Sequence, residues 1–232
     1  MLDFLTLIDS GDCECPPVRC DPNPHGVYAV GGRITPQLIL SAYRSGIFPW
    51  PHENVPLLWF LPKRRMILPI NGIHVSRSLA KTIRKNTYQV TIDRAFEKVI
   101  TGCAVVPRGD GNGTWITDEI TEVYTELHRH GYGHSVEVWL GESLVGGLYG
   151  LSLGACFFGE SMFSTAPSAS KVGLVSLVQL LARRQFHFID CQVHTNYLAS
   201  MGAFEVPLAK FKRLLEHALS VPTWTGAWSF DS

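Results

Sequence analysis

Neither sign of charge is in surplus in this sequence. Twenty Lys and Arg stand against twenty Asp and Glu in 232 residues, so the net charge points to no partner, and any nucleic-acid contact has to come from a local patch. A membrane-spanning run is also missing. The most apolar stretch, 174–182, is broken by Ser176 and Gln179 and ends at Arg183-Arg184. Residues 1–10 carry Asp3 and Asp9 and no base, which is not the pattern of a secretory signal. A soluble, cytoplasmic chain that does not engage a membrane is therefore expected. Internal repeats and low-complexity tracts are absent as well, which excludes a repeat array.

What is present is a large apolar share, 46% against 17% charged, as a compact chain requires and a disordered one lacks. The length suits one large domain or two unequal ones. Of six cysteines, Cys103, Cys156 and Cys191 lie in apolar segments and read as small buried hydrophobes. Cys13, Cys15 and Cys20, with His25, have a spacing open to zinc. The Cys-x-Cys gap is tighter than usual, however, and prolines crowd the segment, so a loose N-terminal extension over 1–25 without a metal is expected.

Residues 11–33, rich in Pro, Gly and Asp, read as loop or short irregular strand. Thr35-Pro36 offers a capping hydroxyl and a proline for the first turn, which predicts a helix over 36–45 stopped by Gly46. Ile47-Phe48-Pro49-Trp50-Pro51 reads as a rigid aromatic loop. A helix over 76–86 places Arg77, Lys81, Arg84 and Lys85 on one stripe and Leu79 and Ile83 on another. Four positive charges without a negative one form a footprint for phosphates.

A strand over 88–92 and a helix over 94–101 follow, then a loop. There Arg108-Gly109-Asp110-Gly111-Asn112-Gly113 has the form of a pyrophosphate cradle, but Trp115-Ile116-Thr117 intervenes before the next helix can start, so it reads as a flexible loop. Thr117 caps that helix, whose buried stripe is Ile120, Val123, Tyr124 and Leu127, and Gly131 ends it. A half-buried strand over 134–140 and strands over 143–151 and 155–161 are expected to pair antiparallel. A helix over 169–185, a strand over 186–193, a short helix over 195–201, a strand over 203–206 and a helix over 208–219 complete the pattern. The sum is an α/β chain with helices on the faces of a sheet.

Two segments stand out chemically: Gly159-Glu160-Ser161-Met162-Phe163-Ser164 and Asp190-Cys191-Gln192. They place two acids and an amide in apolar surroundings, where polar groups are costly without a purpose. On a regular strand Asp190 and Gln192 project together while Ile189, Cys191 and Val193 face a core. Such a set is either a structural polar network or a site. Gln192 is too weak a base to take a proton, yet it can accept a hydrogen bond from an attacking amine and orient it. Asp190 can polarise that amide or hold a nearby cation. Among Trp50, Trp59, Trp115 and Tyr124, the first and third fall where no core stripe would put them, which suits platforms for base stacking.

Taken together, the residues resemble the bacterial leucyl/phenylalanyl-tRNA–protein transferase family. The likeness runs in order over about 26–207. It is carried by Gly31-Gly32, Tyr43-Arg44-Ser45-Gly46-Ile47-Phe48-Pro49-Trp50, Gly113-Thr114-Trp115-Ile116-Thr117, Ser135-Val136-Glu137-Val138-Trp139 and Leu144-Val145-Gly146-Gly147-Leu148-Tyr149-Gly150. Residues 159–164, Ala169-Ser170-Lys171, Asp190-Cys191-Gln192-Val193 and Ser200-Met201-Gly202-Ala203 complete it. The chain departs from the family's pattern at Arg33, at Lys63-Arg64-Arg65, and at Tyr197 where the family usually has His.

The resemblance implies an acetyltransferase-like (GNAT-like), mixed but mainly antiparallel sheet flanked by helices, with a small α+β domain over 1–62 and the catalytic domain over 63–232. It implies a monomer without a cofactor that moves Leu or Phe, and less often Met, from aminoacyl-tRNA to the N-terminal Arg or Lys of a protein, creating a degradation signal. Asp190 and Gln192 would be the catalytic pair with Glu160 beside them. Trp50, Trp115, Tyr43 and Tyr124 would surround the terminal adenosine, and Phe157, Met162 and Leu174 would line the side-chain pocket. Arg77, Lys81, Arg84 and Lys85 would meet acceptor-stem phosphates. A carboxylate, Asp190 or Glu160, would hold the acceptor's basic side chain. The alternatives are a relative that acylates a small molecule or peptide from aminoacyl-tRNA, an acetyl-CoA-dependent enzyme, and a tRNA-binding module without catalysis.

Overall fold

The computed structural model describes residues 5–9, 11–12, 14–15, 22–52, 55–105 and 115–230. Its first unit is a small sheet with one helix: β1 (Thr6–Ile8), β2 (Val27–Gly31), α1 (Pro36–Arg44), β3 (Phe48–Trp50) and β4 (Leu58–Phe60), in the spatial order β1-β2-β4-β3. Helix α1 starts as its sequence dictates: Thr35 Oγ1 accepts the Leu38 N–H, and Gly46, at a φ of 78°, turns the chain out. The segment expected to be an aromatic loop is instead strand β3, antiparallel to β4 with Pro49 opposite Trp59. Proline is tolerated because β3 is the sheet's edge, where no neighbour needs its missing N–H.

The second unit is a seven-stranded sheet in the order β11-β5-β10-β9-β8-β7-β6. Its elements are β5 (Arg64–Pro69), α2 (Arg77–Arg84), β6 (Gln89–Ile92), α3 (Phe96–Val105), α4 (Asp118–Arg129), β7 (Gly133–Leu140), β8 (Ser143–Leu153), β9 (Cys156–Ser164), α5 (Ala169–Arg183), β10 (Phe188–Gln192), α6 (Asn196–Ser200), β11 (Phe204–Pro207) and α7 (Leu208–Leu219). All neighbours pair antiparallel except β9 and β10. The sheet is thus mixed and mainly antiparallel, as expected. Strand β5 was not foreseen, although it lies between β10 and β11 near the sheet's edge.

Alternation along the strands builds two cores. Ile67, Tyr149, Leu151, Phe158 and Phe188 pack with α1, α3, α4 and α7, while Met66, Leu68, Leu148, Phe157 and Ile189 pack under α2 and α5. Helices on both faces explain why β7, expected to be half-buried, is buried from Gly133 to Val138. Gly150 sits at a β-bulge where a Cβ would come within 2.1 Å of the Phe158 carbonyl, so glycine alone lets β8 follow β9 there. Among the described residues, no helix is long and apolar enough to cross a membrane.

After α7 the chain returns to the sheet as a strap. The Trp228 N–H donates to Asp93 Oδ2 at 2.8 Å, and Asp93 also accepts from the Ser135 N–H and pairs with His134 Nδ1. The Trp228 indole stacks on His134 at 3.6 Å and on Trp224 at 4.5 Å, and the Arg184 guanidinium covers Trp224.

Candidate functional site

The one parallel pair of the large sheet makes the site. Strands β9 and β10 are in register from Cys156/Phe188 to Phe158/Asp190 and then part. Beyond that point β9 runs on to Ser164, while β10 bulges: Asp190 faces Ile67 and Gln192 faces Met66 on β5, with Cys191 left over between them. Gln192 takes a φ of 60°, in the left-handed region. The wedge opens into a cavity of about 610 Å³ whose lining includes Trp50 from β3, Trp115, Leu174 from α5 and Tyr197 from α6.

The bulge alters the expected facing. Ile189, Cys191, Gln192 and Val193 all line the cavity, whereas Asp190 does not. Asp190 is fully buried in a two-pronged pair with Arg65, whose Nε donates to Oδ1 at 2.8 Å and Nη2 to Oδ2 at 2.7 Å. The link from Asp190 to Gln192 runs through the main chain, the Gln192 N–H donating to Asp190 Oδ1 at 2.9 Å. Asp190 is fully buried and off the cavity lining, so of the two acids it is Glu160 that faces the space an acceptor's basic side chain would enter.

Glu160, on the cavity wall, is held differently. Its Oε1 accepts from the Tyr43 hydroxyl at 2.7 Å and from Gln192 Nε2 at 3.3 Å; its Oε2 accepts from the Tyr124 hydroxyl at 3.3 Å. Burial pushes the Glu160 carboxyl up to about 7; the Tyr43, Gln192 and Tyr124 donors pull it back, and the charge of Asp190 adds to the rise. Burial and then the Glu160 charge raise both phenols well above their usual range, which keeps them donors. Because Gln192 Nε2 is committed to Glu160, its amide oxygen is the end left to accept from a ligand.

Tyr43 and Tyr124 are not on the cavity lining. Both are fully buried, their hydroxyls lie 2.9 Å apart, and they act through Glu160. Trp50 and Trp115 do line the cavity, as do Phe157, Met162 and Leu174. Trp59 is a buried core residue of β4 whose indole N–H donates to the Gly31 carbonyl. On α2, Arg77, Lys81 and Arg84 are exposed, as is Lys85 at its C-cap, and Leu79 is the residue the helix buries.

Three contributors were not singled out as site residues: Arg65, Ser170 and Tyr197. The Tyr197 hydroxyl lies 3.0 Å from Ser170 Oγ on the cavity lining, with Lys171 Nζ 5.5 Å from its ring. Arg65 had one sequence signal, an arginine leading directly into Met66-Ile67-Leu68, which demands a buried anion if that run is a core strand. The Arg108–Gly113 loop, Cys13 and Cys20 lie outside the described residues. Cys15 is buried, which pushes its thiol up to about 11. Among the described residues, no group of three or more His, Cys, Asp and Glu is placed to hold a metal.

Comparison with known proteins adds the following. The family model described as leucyl/phenylalanyl-tRNA protein transferase matches residues 67–216, and the model for that protein's N-terminal domain matches 32–63. A protein of Anaeromyxobacter sp. named leucyl/phenylalanyl-tRNA–protein transferase is 51% identical over 209 residues, 90% of this chain and 89% of its own. One of the same name from Maridesulfovibrio salexigens is 51% identical over 211 residues, 90% of this chain and 88% of its own. Another from Myxococcus xanthus is 49% identical over 214, covering 92% and 91%. Among solved structures, L-PGS from Bacillus licheniformis aligns at a TM-score of 0.39 with 12% identity over 78% of this chain and 60% of that one, too loose to bear on the fold.

Proposed function

The chain belongs to the leucyl/phenylalanyl-tRNA protein transferase family, and from that premise we propose how its cavity carries out transfer. The enzyme is an aminoacyltransferase that moves Leu or Phe from aminoacyl-tRNA to a protein N-terminus. The aminoacyl ester arrives activated, and the acceptor's α-amine, with a pKa of about 7.7–8, is partly neutral at pH 7. What remains is to hold the amine, stabilise the tetrahedral oxyanion and move one proton.

The observation that carries the proposal is the Gln192 amide, fixed at the wedge between β9 and β10 with its nitrogen on Glu160 and its oxygen left to accept. In our reading that oxygen accepts from the acceptor amine and aims it at the ester carbonyl. The amine nitrogen bonds to the carbonyl carbon, the bond from that carbon to the ribose 3′ oxygen breaks, and the proton shed by the amine ends on the 3′ oxygen. Glu160, the one acid on the cavity lining among the described residues, carries that proton. With its carboxyl near 7 it accepts and returns a proton at little cost in either direction. Its charged form also favours acceptors that begin with Arg or Lys.

Trp50 and Trp115 would take the terminal adenosine, and Phe157, Met162 and Leu174 the aminoacyl side chain, whose apolar lining suits Leu, Phe and less often Met. The exposed cations of α2 would meet acceptor-stem phosphates. We further propose the division into a small domain over 1–62 and a catalytic domain over 63–232, an acetyltransferase-like sheet, a monomer, and a cytoplasmic site of action. The test is incubation with radiolabelled Leu-tRNA or Phe-tRNA and peptides beginning with Arg, Lys or Ala. Label is expected on the first two peptides; label on none would reject the reaction, and equal label on all three would reject the acceptor preference.

A further inference from the structure

The bulge that presents Gln192 does not support itself. A non-glycine residue keeps a φ of 60° only where its surroundings over-determine it. That constraint leads back to Arg65. Its fork fixes both oxygens of Asp190, and Asp190 Oδ1 fixes the Gln192 N–H. The guanidinium is fixed in turn, its carbon 4.6 Å from the centre of the Phe48 ring and 4.7 Å from that of Phe211. Arg65 Nη1 is buried with no hydrogen-bond partner among the described residues. A buried ion pair is often no more stabilising than an apolar pair of the same volume, and an unsatisfied N–H makes it less so. What this pair supplies is direction.

We propose that Arg65 is a positioning residue for aminoacyl transfer: clamped between Phe48 and Phe211, it sets Asp190, and through Asp190 the backbone of Gln192 and the aim of its amide into the cavity. This rests on the aminoacyl-transfer reading of that cavity. Arg65 is not itself on the cavity lining, so it acts only through the residues it holds. Phe48, however, does line the cavity, two residues before Trp50 on β3. The clamp therefore joins the aromatic wall to the residue that receives the amine.

Arg65→Lys tests the idea, since lysine keeps the charge but has neither the planar fork nor a face for two rings. With Phe-tRNA and an Arg-initiated peptide, kcat is expected to fall about 10²-fold, while KM for Phe-tRNA stays within about twofold. In the free ¹⁵N-labelled protein, the Gln192 side-chain amide resonances, assigned by their loss in Gln192→Ala, are expected to move. A wild-type kcat, a change confined to KM, or a fall in kcat with unmoved Gln192 resonances would each overturn the proposal. Should Arg65→Lys not fold, Phe211→Leu removes one ring and keeps the ion pair; the same two measurements then decide, with a loss of about fivefold expected. Failure of the wild-type protein to transfer at all would reject the reading of the cavity, whereas the Gln192 resonances, recorded without substrate, still decide the positioning.

Discussion

Strands β9 and β10 each carry a buried or part-buried acid near the point where they part, and the two are treated in opposite ways. Glu160 is held by neutral donors, two phenols and an amide, and burial leaves its carboxyl near 7. Asp190 is held by a full charge, in a fork that occupies both oxygens. The neutral donors on Glu160 lower its carboxyl but do not offset its burial, so in the proposed transfer it can exchange a proton. The Arg65 guanidinium instead grips both oxygens of Asp190 and makes it a rigid strut. Two acids on adjacent strands thus divide the labour: one handles a proton and the other holds geometry.

Removing the strut should have the largest effect. Asp190→Ala strands Arg65 as an unpaired charge inside a core, and a loss of about 3–5 kcal/mol is expected in denaturant unfolding. A loss under about 1 kcal/mol would mean that the pair is not the strut described. Glu160→Gln should leave stability at pH 7 nearly unchanged or raise it, and should cost about 10²-fold in transfer. It should also erase a pH dependence. A carboxyl raised from about 4.3 when unfolded to about 7 when folded contributes stability that is whole below about 4.3 and is lost as pH rises towards 7. Unfolding curves taken at pH 4.5 and 7.5 should differ between wild type and variant by that contribution, the variant gaining stability relative to the wild type as pH rises.

Tyr43→Phe is a finer probe. It removes a donor that lowers the Glu160 carboxyl, so the acid limb of the kcat profile should move to higher pH, with a few-fold loss at pH 7, about 1 kcal/mol. An unmoved limb would show that some other group titrates there. The smallest effect is expected far from both acids. Lys81→Gln on α2 should leave kcat unchanged and reduce the slope of log affinity for tRNA against log salt by about 0.7–0.9, the share of one phosphate. A change in kcat would tie α2 to the chemistry and blur the contrast between the two acids.

Much of this was legible before the structure. Thr35 and Thr117 announced their helices because a capping hydroxyl is a local device, satisfied three residues away. Glu160 and Gln192 could be paired as candidates because polar groups in apolar strands are informative by themselves. The bulge at Cys191 was hidden, since it answers to Arg65 on another strand and no local residue signals it. Strand β5 escaped for the same reason, its charged start reading as solvated until the partner acid is known. The contact of Tyr43 and Tyr124 with Glu160 was not legible, because a tyrosine carries the same pattern whether its hydroxyl meets solvent or a buried carboxylate. Pro49 concealed β3, an edge strand whose position only the assembled sheet reveals.

The strap at residues 224–228 has a consequence for the order of events during synthesis. Asp93 and His134 sit early in the large sheet, yet the indole that covers His134 and the amide that satisfies Asp93 both come from Trp228. Until that residue has been made, a carboxylate, an imidazole and the flank of Phe157 lack their cover. The wedge between β9 and β10 belongs to the same sheet, so the nascent chain carries every site residue well before it can finish the face that backs them. Trp228 is in that sense a late cover, laid over His134, Asp93 and Phe157 on a face that α2 and α5 already pack.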